Sequence, residues 1–138
     1  MSRLWRGVIP VLLLLLAGCG GGPDEETLRS LVTERVQQVN GHAVVDVISF
    51  RRLNDTLHDD NSYSAEVEYE LRFKVALSEA AEALKAETGS IFSAGVRAAN
   101  LGMRYGDFRN GDTLVQQERV RLVQSDEGWQ IDEAPAER

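Results

Sequence analysis

Tyr63-Ser64-Ala65-Glu66-Val67-Glu68-Tyr69-Glu70-Leu71-Arg72-Phe73-Lys74-Val75-Ala76-Leu77 is the stretch that decides the fold. Its odd-numbered positions are apolar or aromatic, and all its even ones except Ala76 are polar or charged. A period of two means a strand with one face buried and one in water, as antiparallel sheets have. At about 3.3 Å per residue a straight strand of this length would span near 50 Å, so it must bend, bulge or end before the pattern does.

Upstream, Leu28, Leu31, Val32, Val36 and Val39 form one apolar stripe at helical spacing. Asp24 is the expected N-cap, Glu25 and Glu26 put negative charge in the first turn, and Asn40-Gly41 is a C-terminal stop. Ala43 to Leu53, rich in β-branched residues, reads as a strand with imperfect alternation. Residues 54–62 read as a polar connection.

Downstream, Ser78 is the expected cap of a helix from Glu79 to about Thr88, closed by Gly89. In Ser90 to Met103, Ile91, Phe92, Val96 and Ala99 suggest another helix, while Gly95 and Gly102 weaken it. Asn110-Gly111 marks a turn and Thr113 to Gln124 a strand. Residues 125–128 form a hairpin loop, with Trp129 and Ile131 as the last inward pair. The expected class is therefore α+β. An N-terminal amphipathic helix packs on a curved antiparallel sheet of about four strands, with a helical insert between strands two and three. One domain spans 24–133, and 134–138 is a polar tail. This order, and the closing Asp126-Glu127-Gly128-Trp129 with Ile131, resembles the cystatin-like and nuclear transport factor two-like α+β rolls. That resemblance implies a sheet curled around the helix and able to enclose a cavity.

The first eighteen residues belong to a different reading. Arg3 and Arg6 precede an apolar run from Val8 to Ala17. The twelve residues between Arg6 and Cys19 would make a helix of only about 18 Å, too short for a hydrocarbon core of roughly 30 Å. The run is a signal-peptide core rather than a membrane span. It ends in Leu16-Ala17-Gly18-Cys19, which resembles the lipobox of bacterial lipoproteins. The resemblance implies a diacylglycerol thioether on Cys19, cleavage before it, and a further acyl chain of the palmitate class on the new amino terminus. It also implies a periplasm-facing, lipid-anchored protein of the cell envelope. Gly20 in place of Asp leans toward the outer membrane over the inner. Residues 19–23 are then the lipidated Cys and a short Gly-rich tether.

The whole chain carries 15 Lys+Arg against 22 Asp+Glu. Without the first eighteen residues the net charge becomes −9, with no basic block, which excludes nucleic-acid binding. A single Cys, Cys19, excludes an intramolecular disulfide and any Cys-clustered metal site. His42 and His58 are the only imidazoles, neither has an evident partner, and no Ser stands in a nucleophile elbow. No catalytic residue, no metal site and no cofactor beyond the covalent lipid is expected. Asp55, His58, Asp59, Asp60 and Asn61 lack the alternating acids and central Gly of a calcium loop and read as a solvated turn. Glu66, Glu68 and Glu70 share one strand face, with Arg119 and Arg121 as expected cross-strand partners. Tyr69, Phe73 and Trp129, with Phe92, Tyr105 and Phe108, are either core or the lining of a pocket. The function this composition favours is non-catalytic: a lipid-anchored module that binds another envelope protein. The alternative is a domain holding a small ligand in the cavity of the roll, on its own or as a transporter accessory.

Overall fold

The computed structural model describes residues 22–59 and 61–133. The expected signal peptide, the lipobox-like Leu16-Ala17-Gly18-Cys19, most of the expected tether, Asp60 and the polar tail lie outside the described residues. Helix α1 spans Glu25–Asn40. Asp24 caps it by accepting from the Thr27 backbone N–H at 2.8 Å, which holds the Asp24 carboxyl below its usual range. Leu28, Val32 and Val36 are buried. Val39, the last residue of the stripe, is half exposed because the final turn of the helix overhangs a cleft.

Strands β1 (Val45–Asp59), β2 (Ser62–Phe73), β3 (Thr113–Ser125) and β4 (Gly128–Ile131) form one antiparallel sheet in sequential order. Helices α2 (Leu77–Thr88) and α3 (Ile91–Tyr105) form a hairpin between β2 and β3. The fold is α+β with the insert where the sequence places it. The inner face of β2 is the spine of the core: Tyr63, Ala65, Val67, Tyr69, Leu71 and Phe73 are all buried. α1 covers that face, and Phe108 stacks on Phe73 at 4.1 Å between ring centroids.

Four sequence expectations are corrected. The supposed connection 54–62 is mostly strand. β1 runs to Asp59 and β2 begins at Ser62. Its alternation fails because the register slips at three places, leaving Ile48, Leu53 and His58 as extra residues. β2 stops at Phe73, not Leu77. There the chain leaves the sheet, the Lys74 N–H bonding the Val44 carbonyl and the Leu77 N–H that of Phe108. Ser78 is therefore not a cap. α2 starts at Leu77 behind Ala76, which makes no capping side-chain bond. The ambiguous stretch after Ser90 is a full helix, with Ser90 accepting from the Ser93 N–H at 3.1 Å. A side chain at Gly102 would come within 3.1 Å of Leu77, so this glycine permits the close packing of α3 against the start of α2.

Candidate functional site

The inner row of β3 changes character along its length. Val120 and Leu122, opposite Ala65 and Tyr63, are buried and apolar. Glu118 and Gln116, opposite Val67 and Tyr69, are polar at positions that the same parity turns inward. Above them the C-terminal half of α1 leaves a cleft of about 250 Å³, with Arg35, Val36, Val39 and Asn40 on one wall. Tyr69, Gln116 and Glu118 make the floor, and Arg104 and Tyr105 close one end.

Its polar groups are tied into one arrangement. Asn40 is only 4% exposed. Its amide donates to the Val36 carbonyl at 3.0 Å, so its Oδ1 faces outward and accepts from Arg104 at 2.7 Å and the Tyr105 hydroxyl at 3.2 Å. A buried amide used at both ends holds two side chains in place. The Tyr69 hydroxyl donates to Glu118 at 3.3 Å. Burial, reinforced by the nearby Glu118 charge and Tyr105, pushes the Tyr69 phenol well above its ordinary range. Among the described residues Arg35 reaches only the exposed Glu133, at 3.6 Å.

A second feature lies on α3. Its buried face is Ala94, Ala98 and Leu101. The opposite face carries Phe92, Val96, Ala99 and Met103 at helical spacing. Phe92 is 77% exposed and Met103 85%. Met103 also lines a shallow groove over Gly95, Ala99 and Gly102. α3 is thus apolar on two opposite sides and covered on one. It docks on the C-terminal end of α1, where Arg97 donates to the carbonyls of Gln38 and Val39 at 2.9 and 3.3 Å. The chain reaches α1 at the other end. There the Pro23 carbonyl accepts from Arg52 at 3.1 Å, and Gly22 lies against the Tyr63 ring.

No protein-family model matches the chain, and no curated protein or solved structure shows significant similarity to it.

The aromatics singled out in the sequence divide three ways. Tyr69 and Tyr105 line the cleft. Phe73 and Phe108 are core, and Trp129 is half-buried against Tyr63, 5.9 Å between centroids. Phe92 is neither core nor cleft, a correction forced by its exposure on α3. The imidazoles do have partners, contrary to expectation. His42 sits 3.2 Å from Glu87 and 3.4 Å from Glu34, clamping α2 to α1. His58 lies 2.8 Å from the hydroxyl of buried Ser64. Asp55 accepts from the Tyr63 hydroxyl at 2.9 Å, and Asp59 from the Asn61 N–H at 2.7 Å. These side chains are spent on separate tasks, and among the described residues no three acids, His or Cys gather as a metal cluster.

On the wet face of the sheet, Arg119 pairs with Glu66 at 3.7 Å as expected. Glu68 instead takes Arg51 at 3.2 Å and Gln117 at 2.9 Å, which hold its carboxyl below the usual range. Arg121 turns to Asp132 at 3.9 Å. The sequence reading missed Arg35, Asn40, Arg104, Gln116 and Glu118. The one available signal was Gln116 and Glu118 sharing the parity of Leu114, Val120 and Leu122.

Proposed function

We propose that this chain is a lipid-anchored lipoprotein of the bacterial cell envelope, facing the periplasm and favouring the outer membrane. It acts without catalysis, by binding another envelope protein. Leu16-Ala17-Gly18-Cys19 and the signal-like run before it support the anchor. The observation that carries the binding role is the uncovered apolar face of α3, since exposed apolar surface of this kind marks an interaction site.

The position of that face favours a protein over the bilayer. The span from Cys19 to Gly22 reaches at most about 11 Å, whereas α1, with 16 residues, is about 24 Å long. The lipid holds one end of α1 and the apolar face sits at the other. A net charge of −9 gives no electrostatic attraction to anionic headgroups. The acyl chains alone anchor the domain, and α3 is presented away from the membrane. The partner that fits is a protein with an apolar helix or ridge able to cover Phe92, Val96 and Met103.

Two measurements test this. Metabolic labelling with an alkyne fatty acid should mark the wild type and not Cys19→Ser, and label on the variant would overturn the anchor. A photo-crosslinking residue at position 103 in intact envelopes should capture one defined protein, while the same residue at 119, on the wet sheet face, should not. Equal capture at both positions, or none at 103, would overturn the binding face.

A further inference from the structure

We propose that the cleft between α1 and β3 is a binding site for a small α-amino acid with an apolar side chain, held as its zwitterion. It is a site separate from the apolar face of α3 and does not depend on the partner-binding reading. The cleft holds unspent hydrogen-bonding capacity. Arg104 uses one N–H, on Asn40. Arg35 makes one distant ion pair, through Nε to Glu133. Gln116 makes no side-chain hydrogen bond among the described residues, and Glu118 accepts only from Tyr69. Two guanidinium forks thus face one cleft with donors to spare, in a protein that is acidic overall.

The chemistry of these groups selects the ligand. A guanidinium fork matches the two oxygens of a carboxylate. Glu118, in the same cleft, disfavours a multiply charged anion such as phosphate and offers its free oxygen to an ammonium group. Val36 and Val39 form an apolar wall for a short hydrocarbon side chain. The volume, about 250 Å³, lies below the roughly 300–1,000 Å³ of sites for drug-sized molecules and suits a ligand of amino-acid scale. The site is also preorganised. Asn40 fixes Arg104 and Tyr105 before any ligand arrives, so less ordering remains to be done on binding.

The test uses the full chain in detergent and three probes of one shape: L-leucine, 4-methylpentanoate, which lacks the amine, and 3-methylbutylamine, which lacks the carboxylate. Calorimetry should show leucine binding, with both analogues weaker by about tenfold or more. Glu118→Gln should weaken leucine binding and leave 4-methylpentanoate unchanged or tighter, so that the two bind alike. Arg104→Gln should weaken leucine and 4-methylpentanoate together, and Phe92→Ala should alter neither. Thermal unfolding of each variant separates loss of binding from loss of fold. No binding of leucine up to about 10 mM would overturn the proposal, as would equal binding of leucine and 4-methylpentanoate or unchanged leucine affinity in Glu118→Gln. These outcomes leave crosslinking at position 103 unaffected, so the two proposals fail independently.

Discussion

Neighbouring strands β2 and β3 turn the same face toward α1 and use it differently. On β2 the inner row is apolar or aromatic from Tyr63 to Phe73, and each of its six side chains is at most 6% exposed. On β3 only Val120 and Leu122 continue that row. Glu118 and Gln116 interrupt it, and Leu114 beyond them is 36% exposed. One strand is there to be covered, and its neighbour is covered for half its length. A helix lying across a twisted sheet cannot cover every strand equally, and where it lifts away the inner face becomes a site. Polar residues at inward parity are the mark of that departure.

The sharpest way to break this contrast is to put a charge into the row that is fully covered. Leu71→Asp buries a carboxylate without a partner and should cost about 3–5 kcal/mol. The urea midpoint of the purified protein measures it. A change below 1 kcal/mol would mean that β2 is not the spine of the core.

A smaller effect should appear at alkaline pH. The folded protein holds the Tyr69 phenol above its ordinary value of 10.0. Above about pH 10 the unfolded chain therefore releases a proton that the folded one keeps. The contribution of Tyr69 to stability should be constant below that pH and fall above it. Tyr69→Phe should make the alkaline limb of the melting-temperature profile shallower.

Making β3 resemble β2 should change stability less again. The double substitution Gln116→Leu, Glu118→Leu should alter it by less than about 1 kcal/mol in either direction, since the added apolar surface is offset by the lost acceptor for Tyr69. It should nevertheless abolish leucine binding in the calorimeter. Glu68→Gln on the wet face should have the smallest effect of all. The Glu68 carboxyl lies below its ordinary value of 4.5, so its contribution is present above that pH and is lost as pH falls through the depressed folded value. The variant should differ slightly from wild type at neutral pH and match it in acid.

Much of this architecture was legible because β2 obeys one rule along its whole length, and α1 obeys another from Asp24 to Gly41. β1 was harder to read because its three extra residues shift the parity each time, so Val45 and Val47 face inward and then Phe50 and Arg52 do. Its outer half also reads as loop. Asp55 and His58 are polar, and the groups that accommodate them, the Tyr63 hydroxyl and Ser64, lie across the strand pair and not nearby in sequence. Val75 and Leu77 kept the alternation of β2 after the strand had ended, since a period of two cannot register where its partner strands stop. The glycines of α3 looked like breaks. Gly102 is instead where Leu77 comes closest. The cleft was the least legible feature. It depends on where α1 parts from β3, a matter of packing angle that neither segment encodes alone.

The irregular β1 has one more consequence. It is one edge of the sheet, and β4, only four residues long, is the other. An open edge invites a second chain to hydrogen-bond along it, and the danger grows where copies are crowded on a surface. β4 is too short to template such growth, but it covers only Leu122 to Ser125 of β3 and leaves Thr113 to Val120 without a strand on that side. β1 is long, but its outer half carries Asn54, Asp55, His58 and Asp59, and its spacing slips three times. A strand from another molecule could not keep register along it for more than a few residues. The feature that hid β1 in the sequence also guards this edge of the sheet against fibrous aggregation.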